Sequence, residues 1–343
     1  MLSKANRDWL EARGVIYPPE ATVLKKGWRD NPKMIFDAYP TLTTSQNIGI
    51  PAYLANLLDP EWTHVLFAPM KSAEVYGEVK KGDWTTITIQ FPMVESTGEV
   101  ATYGDYDNNG SVGSNYNWVP RQSYHTQTIT QYGDRETEMF GLAQVNYVAD
   151  LNRSSALVLN KFSNKRNFFG IAGMPNYGGL NDPSLPTPIS PTTKQGGGTT
   201  WAVARADEIY NDILLAYQTL VSQLKGYAID RNTKLTLAMS PNIEPYLGKV
   251  TQYTLAPVRS AIQTEWPNLR IISAPEYSTA SGELMQLFVD EIDGEKSAYC
   301  AFTEKLRAGR VVPDLSSYKQ KKTEGGWGTI IRRPLAFVQM LGM

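Results

Sequence analysis

The chain has 343 residues, enough for two domains or one with large insertions; its 42% hydrophobic and 20% charged content is that of a globular protein, which excludes wholesale disorder. A net charge of −1 gives no global reason to bind nucleic acid, and the one cysteine, Cys300, excludes an intrachain disulfide framework and any multi-cysteine metal site. The N-terminus has no apolar core of signal-peptide length and no apolar run reaches the roughly twenty residues that span a bilayer, so a cytoplasmic protein without a membrane partner is expected.

Residues 1–45 read as an arm. A short helix is expected at Lys4–Arg13, after which Pro18-Pro19, Pro32 and Pro40 break the chain. Seven Lys/Arg against four Asp/Glu between Lys4 and Lys33 give it a modest basic bias. Ile50–Leu58 reads as a short apolar helix ended by Asp59-Pro60. Strands are expected at Ala73–Val79 and Trp84–Phe91, with Lys80-Lys81-Gly82-Asp83 as the turn between them. Residues 94–127 are a long polar excursion punctuated by Gly98, Gly104, Gly110 and Gly113, with too little apolar content for a core of its own. Compact domains seldom keep such loops without a use for them.

A single helix is expected from Asp134 to about Lys165. Phe140, Ala143, Tyr147, Leu151, Val158 and Phe162 recur at steps of three, four or seven, and only Gly141 weakens the pattern. Asp134 can cap its start, and Lys161, Lys165 and Arg166 suit the dipole at its end. An aromatic and glycine-rich stretch follows, from Phe168-Phe169-Gly170 to Tyr177-Gly178-Gly179-Leu180-Asn181-Asp182-Pro183.

A Pro-, Thr- and Gly-rich connector over 184–200 marks a domain boundary. Residues 201–303 read as an α/β unit: a helix at Ala202–Lys225 closed by Gly226, strands at Lys234–Met239 and Leu269–Ser273, and short helices at Asn242–Leu247 and Pro257–Glu265. Leu284–Ile292 and Ala298–Thr303 read as strands paired across Asp293-Gly294. The tail returns to strands near Val311-Val312, turns at Glu324-Gly325-Gly326, and ends in an apolar stretch through Leu341. Eight Lys/Arg against two Asp/Glu between Lys305 and Arg333 make this the most basic part of the chain.

No active site emerges, so no catalytic, cofactor-binding or metal-ligating residue is assigned. Neither His64 nor His125 has a metal-spaced partner, and no serine sits in a nucleophile-elbow pattern. Asp105, Asp107, Asn109 and Gly110 imitate half a calcium loop, but Tyr116 stands where a bidentate Glu is required. Gly170-Ile-Ala-Gly173 follows a helix instead of preceding one, the wrong end for cradling phosphate. Asp290/Glu291 and Glu95/Glu99 read as ordinary carboxylates of charged strands, and Cys300 as a buried, inert thiol.

The order of these pieces resembles a tailed-bacteriophage major capsid protein of the Hong Kong phage fold, over nearly the whole chain. The resemblance implies an α+β protein with an N-terminal arm (1–45), an extended β-hairpin loop, a peripheral domain with a long spine helix, and an α/β axial domain. Glu95–Gln122 matches the loop within segment 94–127, and Asp134–Lys165 the spine. The peripheral domain takes 46–93, 128–200 and the return strands 304–328, in which Val311–Gly325 matches; Gly178–Pro183 matches the stretch after the spine. The axial domain takes 201–303, matched by Ala202–Thr303, and a closing strand within 329–343, matched by Ile330–Phe337.

The function so implied is an icosahedral head shell around double-stranded DNA, self-assembled from hexamers and pentamers in the bacterial host cytoplasm and found in the virion. Implied partners are further copies of the chain, a separate scaffolding protein, a portal, a decoration protein, and DNA bound on the inner face without sequence specificity. The basic segments 4–33 and 305–333 are open to three readings: contact with DNA, contact with a neighbour's acidic loop, or a solvated surface. Some members cross-link their shells from a lysine in the extended loop; here no lysine occurs between Lys81 and Lys161, so no such bond is expected. Three alternatives stand beside this one: an encapsulin-type nanocompartment, another virion part such as a tail or adaptor component, and a carbohydrate-active enzyme using its eight Trp and nineteen Tyr.

Overall fold

The computed structural model describes residues 69–142, 146–227, 229–251 and 256–343, all within one compact unit, Thr63–Met343. The arm, the helix expected at Ile50–Leu58 and His64 lie outside the described residues.

The larger core is built on a sheet of five strands: β5 (Leu235–Met239), β6 (Leu269–Ser273), β7 (Ser278–Thr279), β8 (Gly282–Val289) and β13 (Phe337–Leu341). The order is β13-β8-β5-β6, with β7 paired to β8; β5 and β6 run parallel and the other pairs antiparallel. Every residue of β5 is buried, as in a strand covered on both faces, and its one polar side chain, Thr236, donates to Asp290. Helix α4 (Ala206–Gln223) contributes Ile209, Ile213, Ala216 and Leu220, spaced by four, three and four residues so that they form one stripe, to the same core as Leu237, Phe288 and Phe337.

A second, four-stranded sheet has the order β1-β11-β12-β4, formed by β1 (Glu78–Lys80), β4 (Tyr124–Gly133), β11 (Ala298–Asp314) and β12 (Ser317–Ile331). The long helix α3 (Tyr147–Phe169) lies against β12 and β4, with the rings of Tyr124 and Phe162 centred 6.0 Å apart. Strands β2 (Thr88–Glu99) and β3 (Ser111–Gln122) pair with each other alone, a hairpin of twelve facing positions. Its ladder begins at Thr88, ahead of the expected excursion.

Several expectations are corrected. Instead of a strand over Ala73–Val79 there is a one-turn helix, α1 (Ser72–Tyr76), followed by β1. Partners on α3 and β8 fix it: Ser72 N donates to Asn164 Oδ1 at 2.9 Å, and Tyr76 Oη to Gln286 Oε1 at 2.6 Å. The single helix expected over Asp134–Lys165 is two described segments, α2 (Asp134–Leu142) and α3. Asn146 opens the second by accepting from Ala149 N. Gly170, at positive φ, closes it, its N–H donating to the Arg166 carbonyl at 2.7 Å. At about 1.5 Å per residue, α3 is about 35 Å long.

Leu284–Ile292 and Ala298–Thr303 are not paired. Strand β8 already has β5 and β13 on its two sides, so β11 crosses into the other sheet. Asp293-Gly294, both at positive φ, turns only the two-residue strands β9 (Glu291–Ile292) and β10 (Glu295–Lys296). The turn expected at Glu324-Gly325-Gly326 lies instead at Leu315-Ser316, and those three residues are inside β12. Glycine is needed there for space: a Cβ on Gly326 would stand 2.4 Å from Arg166 Nη2, and one on Gly325 2.5 Å from His125 Cδ2. The closing stretch is shared, for β12 ends at Ile331 in one sheet and β13 belongs to the other.

Candidate assembly surfaces

The hairpin is the largest part of the described chain without a partner. Residues directly opposite in an antiparallel pair share a face. One face therefore carries Pro92/Trp118, Val94/Tyr116, Ser96/Ser114 and Gly98/Val112. The other begins at the foot with Ile89/Arg121 and Phe91/Val119 and continues through Met93/Asn117 and Glu95/Asn115 to Glu99/Ser111. Ile89 and Phe91 pack on the small cluster of Tyr299, Ala301, Trp327 and Ile330, so the second face meets the body at the foot and turns acidic further out. On the first face Trp118 is 55%, Tyr116 66% and Val112 89% exposed. The excursion that reads as polar in sequence thus has an apolar face, sorted by the pairing register. Exposed aromatic and aliphatic side chains grouped in this way, at Trp118, Tyr116, Val94 and Pro92, suit protein contact.

The foot is held by the stretch after α3. Gly178 lets this stretch pass the helix end, since a Cβ there would stand 2.1 Å from the Phe168 carbonyl oxygen. Asn181 Oδ1 accepts from Gly178 N, and Asn181 Nδ2 donates to the Phe169 carbonyl, fixing the turn. Asn176 Nδ2 donates to the carbonyls of Gln122 and Gly326, and Gln122 N to the Pro175 carbonyl. Arg121 Nη2 meets Asp182 Oδ2 at 2.5 Å with both side chains buried, and its guanidinium lies 4.6 Å from the Tyr177 ring centre.

Polar pairs also hold α3 to its sheet. Arg166 Nη1 donates to Glu324 Oε1 at 3.1 Å, both buried, and burial pushes the Glu324 carboxyl up although Arg166 pulls it down. Lys322 Nζ, nearly buried, donates to Asn152 Oδ1 and Ser155 Oγ at 2.6 and 2.7 Å. A cleft of about 170 Å³ lies between α3 and the β1–β11 edge, lined by Asn164, Arg166, Phe302, Glu304 and Glu324 among others. It is below the roughly 300 Å³ at which small-molecule sites begin.

The residues singled out in the sequence do not converge. His125 sits edge-on to Trp84 at 4.5 Å; burial first, then nearby Arg166, lowers its pKa. Asp105, Asp107 and Asn109 lie in the hairpin tip, and among the described residues no group of three or more His, Cys, Asp or Glu is placed to hold a metal. Gly170 and Gly173 sit past the end of α3, as their order requires. Asp290 accepts from Thr236 Oγ1 at 2.5 Å while Glu291 pairs with Lys234 at 3.6 Å, and Glu95 and Glu99 share the hairpin's second face. Cys300 is buried, its thiol pushed up to about 12 by burial. Among the described residues no helix is long and apolar enough to cross a membrane.

Much of the basic bias over Lys305–Arg333 is compensated within the protomer. Lys305 pairs with Glu78, Lys319 with Asp314, Arg332 with Glu295 and Arg333 with Asp293. The pairs Arg121–Asp182 and Arg166–Glu324 are not foreseen from sequence. Their only signal there is that Arg121 is the sole Lys or Arg between Lys81 and Arg135, an isolated cation in a long uncharged or acidic stretch.

A helix-backed sheet, a free two-faced hairpin and an α/β unit make a subunit built to be completed by its neighbours, the class of shell-forming capsid proteins. The fold is similar to the capsid of Myoviridae phage XM1, with TM-score 0.69 at 12% identity over 87% of this chain and 100% of that one. It is similar to the capsid of a native GTA particle at TM-score 0.60 and 11% identity, over 84% and 96% of the two chains. A chain of Mycobacterium phage Ogopogo gives TM-score 0.54 at 10% identity, over 86% and 99%. No curated protein matches the sequence. The chain belongs to the Pa193 gp26 major capsid protein family, whose model it matches over residues 41–342. It is a structural capsid protein of a tailed phage, self-assembling into the shell of the virion; the nanocompartment and carbohydrate-active enzyme readings are not favoured.

Proposed function

We propose that the chain closes an icosahedral shell of hexamers and pentamers around double-stranded DNA, and that its hairpin lies on an adjacent subunit in that shell. The exposed Pro92, Val94, Val112, Tyr116 and Trp118 face carries this reading, because its apolar side chains face outward and have no strand or core partner among the described residues. The unit built on β5, β6, β8 and β13 is assigned as the axial domain, and the β4–β11–β12 sheet with α3 as the peripheral domain. Assembly takes place in the bacterial cytoplasm with a separate scaffolding protein and a portal, and a decoration protein is a further partner. DNA meets the inner face without sequence specificity, through phosphate contacts alone. The contact is non-covalent at the hairpin, which has no lysine to offer.

The test is assembly of a Tyr116→Ser/Trp118→Ser variant, followed by negative-stain microscopy and light scattering. The expected result is a folded protein that forms no closed shells; shells like the wild type's would refute the docking face. A covalent ladder on a denaturing gel, traced by mass spectrometry to residues 88–122, would refute the non-covalent contact.

A further inference from the structure

We infer that Arg121 and Asp182 form a latch that sets the direction in which the hairpin leaves the body, making Arg121 a positioning residue for shell assembly. The inference rests on the reading of the hairpin as the arm that reaches a neighbouring subunit.

The hairpin projects from a narrow base. Beyond Phe91 on β2 and Val119 on β3, its strand residues are exposed, and its ladder pairs with no other strand among the described residues. The angle of a projecting ribbon is set by what grips its foot. Ile89 and Phe91 press on Trp327 and its neighbours, a contact that resists lifting but, being apolar, has little directional preference. Directional contacts come from β3: Gln122 through its backbone, and Arg121 through its side chain.

Arg121 is 4% exposed, faces the body, and meets Asp182 and the Tyr177 ring in two different directions. A planar guanidinium held this way has its orientation fixed as well as its position. Asp182 is itself oriented, for its second oxygen accepts from Ser184 N at 3.0 Å and Ser184 Oγ at 2.6 Å. Its loop is anchored to the end of α3 by Asn181 and Gly178. The chain of contacts therefore runs from α3 through Asp182 to Arg121 and into the hairpin. A buried pair of this kind is weak support for stability, and its better-attested use is to specify one arrangement among several.

The test reads direction and assembly separately. Thr97→Cys on the hairpin and Gln263→Cys on helix α5 (Val258–Glu265), both exposed, take spin labels while Cys300 stays buried. The inter-label distance distribution is measured on unassembled protein with Arg121 and Asp182 intact, then in Arg121→Met, Asp182→Asn, Arg121→Lys and the double variant Arg121→Met/Asp182→Leu. The double variant removes both charges, so it folds even where Arg121→Met, which strands a buried carboxylate, does not. The expected result is a broadened or shifted distribution in the double variant at unchanged thermal unfolding, loss of closed shells of native diameter, and partial recovery of both in Arg121→Lys. An unchanged distribution in the folded double variant would overturn the latch. So would normal shells from a variant whose distribution has broadened. Because the distance is read before assembly, shells formed by Tyr116→Ser/Trp118→Ser would refute the docking face alone.

Discussion

The two sheets of this protein differ in how much of their cohesion is apolar. The five-stranded unit is an ordinary core, in which one apolar cluster joins β5, β8 and β13 to α4 and reaches the other sheet through Tyr76, Phe168, Ala298, Cys300 and Ile331. The four-stranded sheet has a buried apolar cluster of its own of only four residues, Tyr299, Ala301, Trp327 and Ile330. Its helix buries Leu159 and Phe168 and is fastened as well by charge and hydrogen bonds: Arg166 to Glu324, Lys322 to Asn152 and Ser155, and Thr329 Oγ1 to the Asn167 carbonyl at 2.6 Å. Hydrophobic burial is non-directional and gives stability in bulk, whereas paired polar groups give less net stability and fix geometry. The first region suits a protomer that must fold alone. The second suits the proposed platform, on which the hairpin's direction is fixed by directional contacts at its foot.

Substitutions can break this comparison, beginning with the largest effect. Arg166→Met leaves Glu324 buried without its partner and is expected to cost about 3–5 kcal/mol. Hydrogen exchange should locate the loss in α3 and β12 while β5 stays protected; uniform loss across both sheets would show that the two regions are one cooperative unit. Leu237→Ala, at a fully buried position of β5, is expected to cost ~2–5 kcal/mol by denaturant unfolding, with the loss centred on the five-stranded sheet. A smaller cost would mean that this core yields to cavities more readily than its packing implies.

A third prediction concerns pH. The folded-state pKa of His125 is lowered, chiefly by burial and then by Arg166, so the neutral ring is favoured in the fold. The stability this contributes is complete above the ordinary value of 6.5 and is lost as pH falls through 6.5 towards the lower folded value. His125→Gln is expected to flatten the thermal stability profile between neutral pH and that acidic range; an unchanged profile would place the acid sensitivity elsewhere. The smallest effect is expected on the hairpin, where Tyr116→Ser should change protomer stability by no more than about 0.5 kcal/mol, because its side chain is exposed. A larger loss in chemical denaturation would mean that the hairpin supports the protomer and is not reserved for its neighbour.

The order of the pieces is written in the chain itself. Periodicity places a helix over Asp134–Lys165, found as Asp134–Leu142 and Tyr147–Phe169, a helix over Ala202–Lys225, found as Ala206–Gln223, and strands at Lys234–Met239 and Leu269–Ser273, found at Leu235–Met239 and Leu269–Ser273, because each signal is local and strong. Residues 94–127 are legible only as a polar excursion between two strand signals; the hairpin is what the resemblance implies, and the ladder from Thr88 to Gln122 bears it out. Pairing is settled only in three dimensions. Ala298–Thr303 looks like the partner of Leu284–Ile292, yet β8 is saturated on both sides, and no local pattern records which strand edges are already taken. Glu324-Gly325-Gly326 looks like a turn, yet those glycines make room for Arg166 and His125, which come from positions far away in sequence. The hairpin's apolar face is invisible along the chain, since Val94 and Tyr116 share a side only through the register of β2 on β3. Arg121 and Asp182 lie 61 residues apart, so nothing local ties one to the other until the fold brings them together. Propensity acts over a few residues, and contact across tens of residues is set by the packing of the whole.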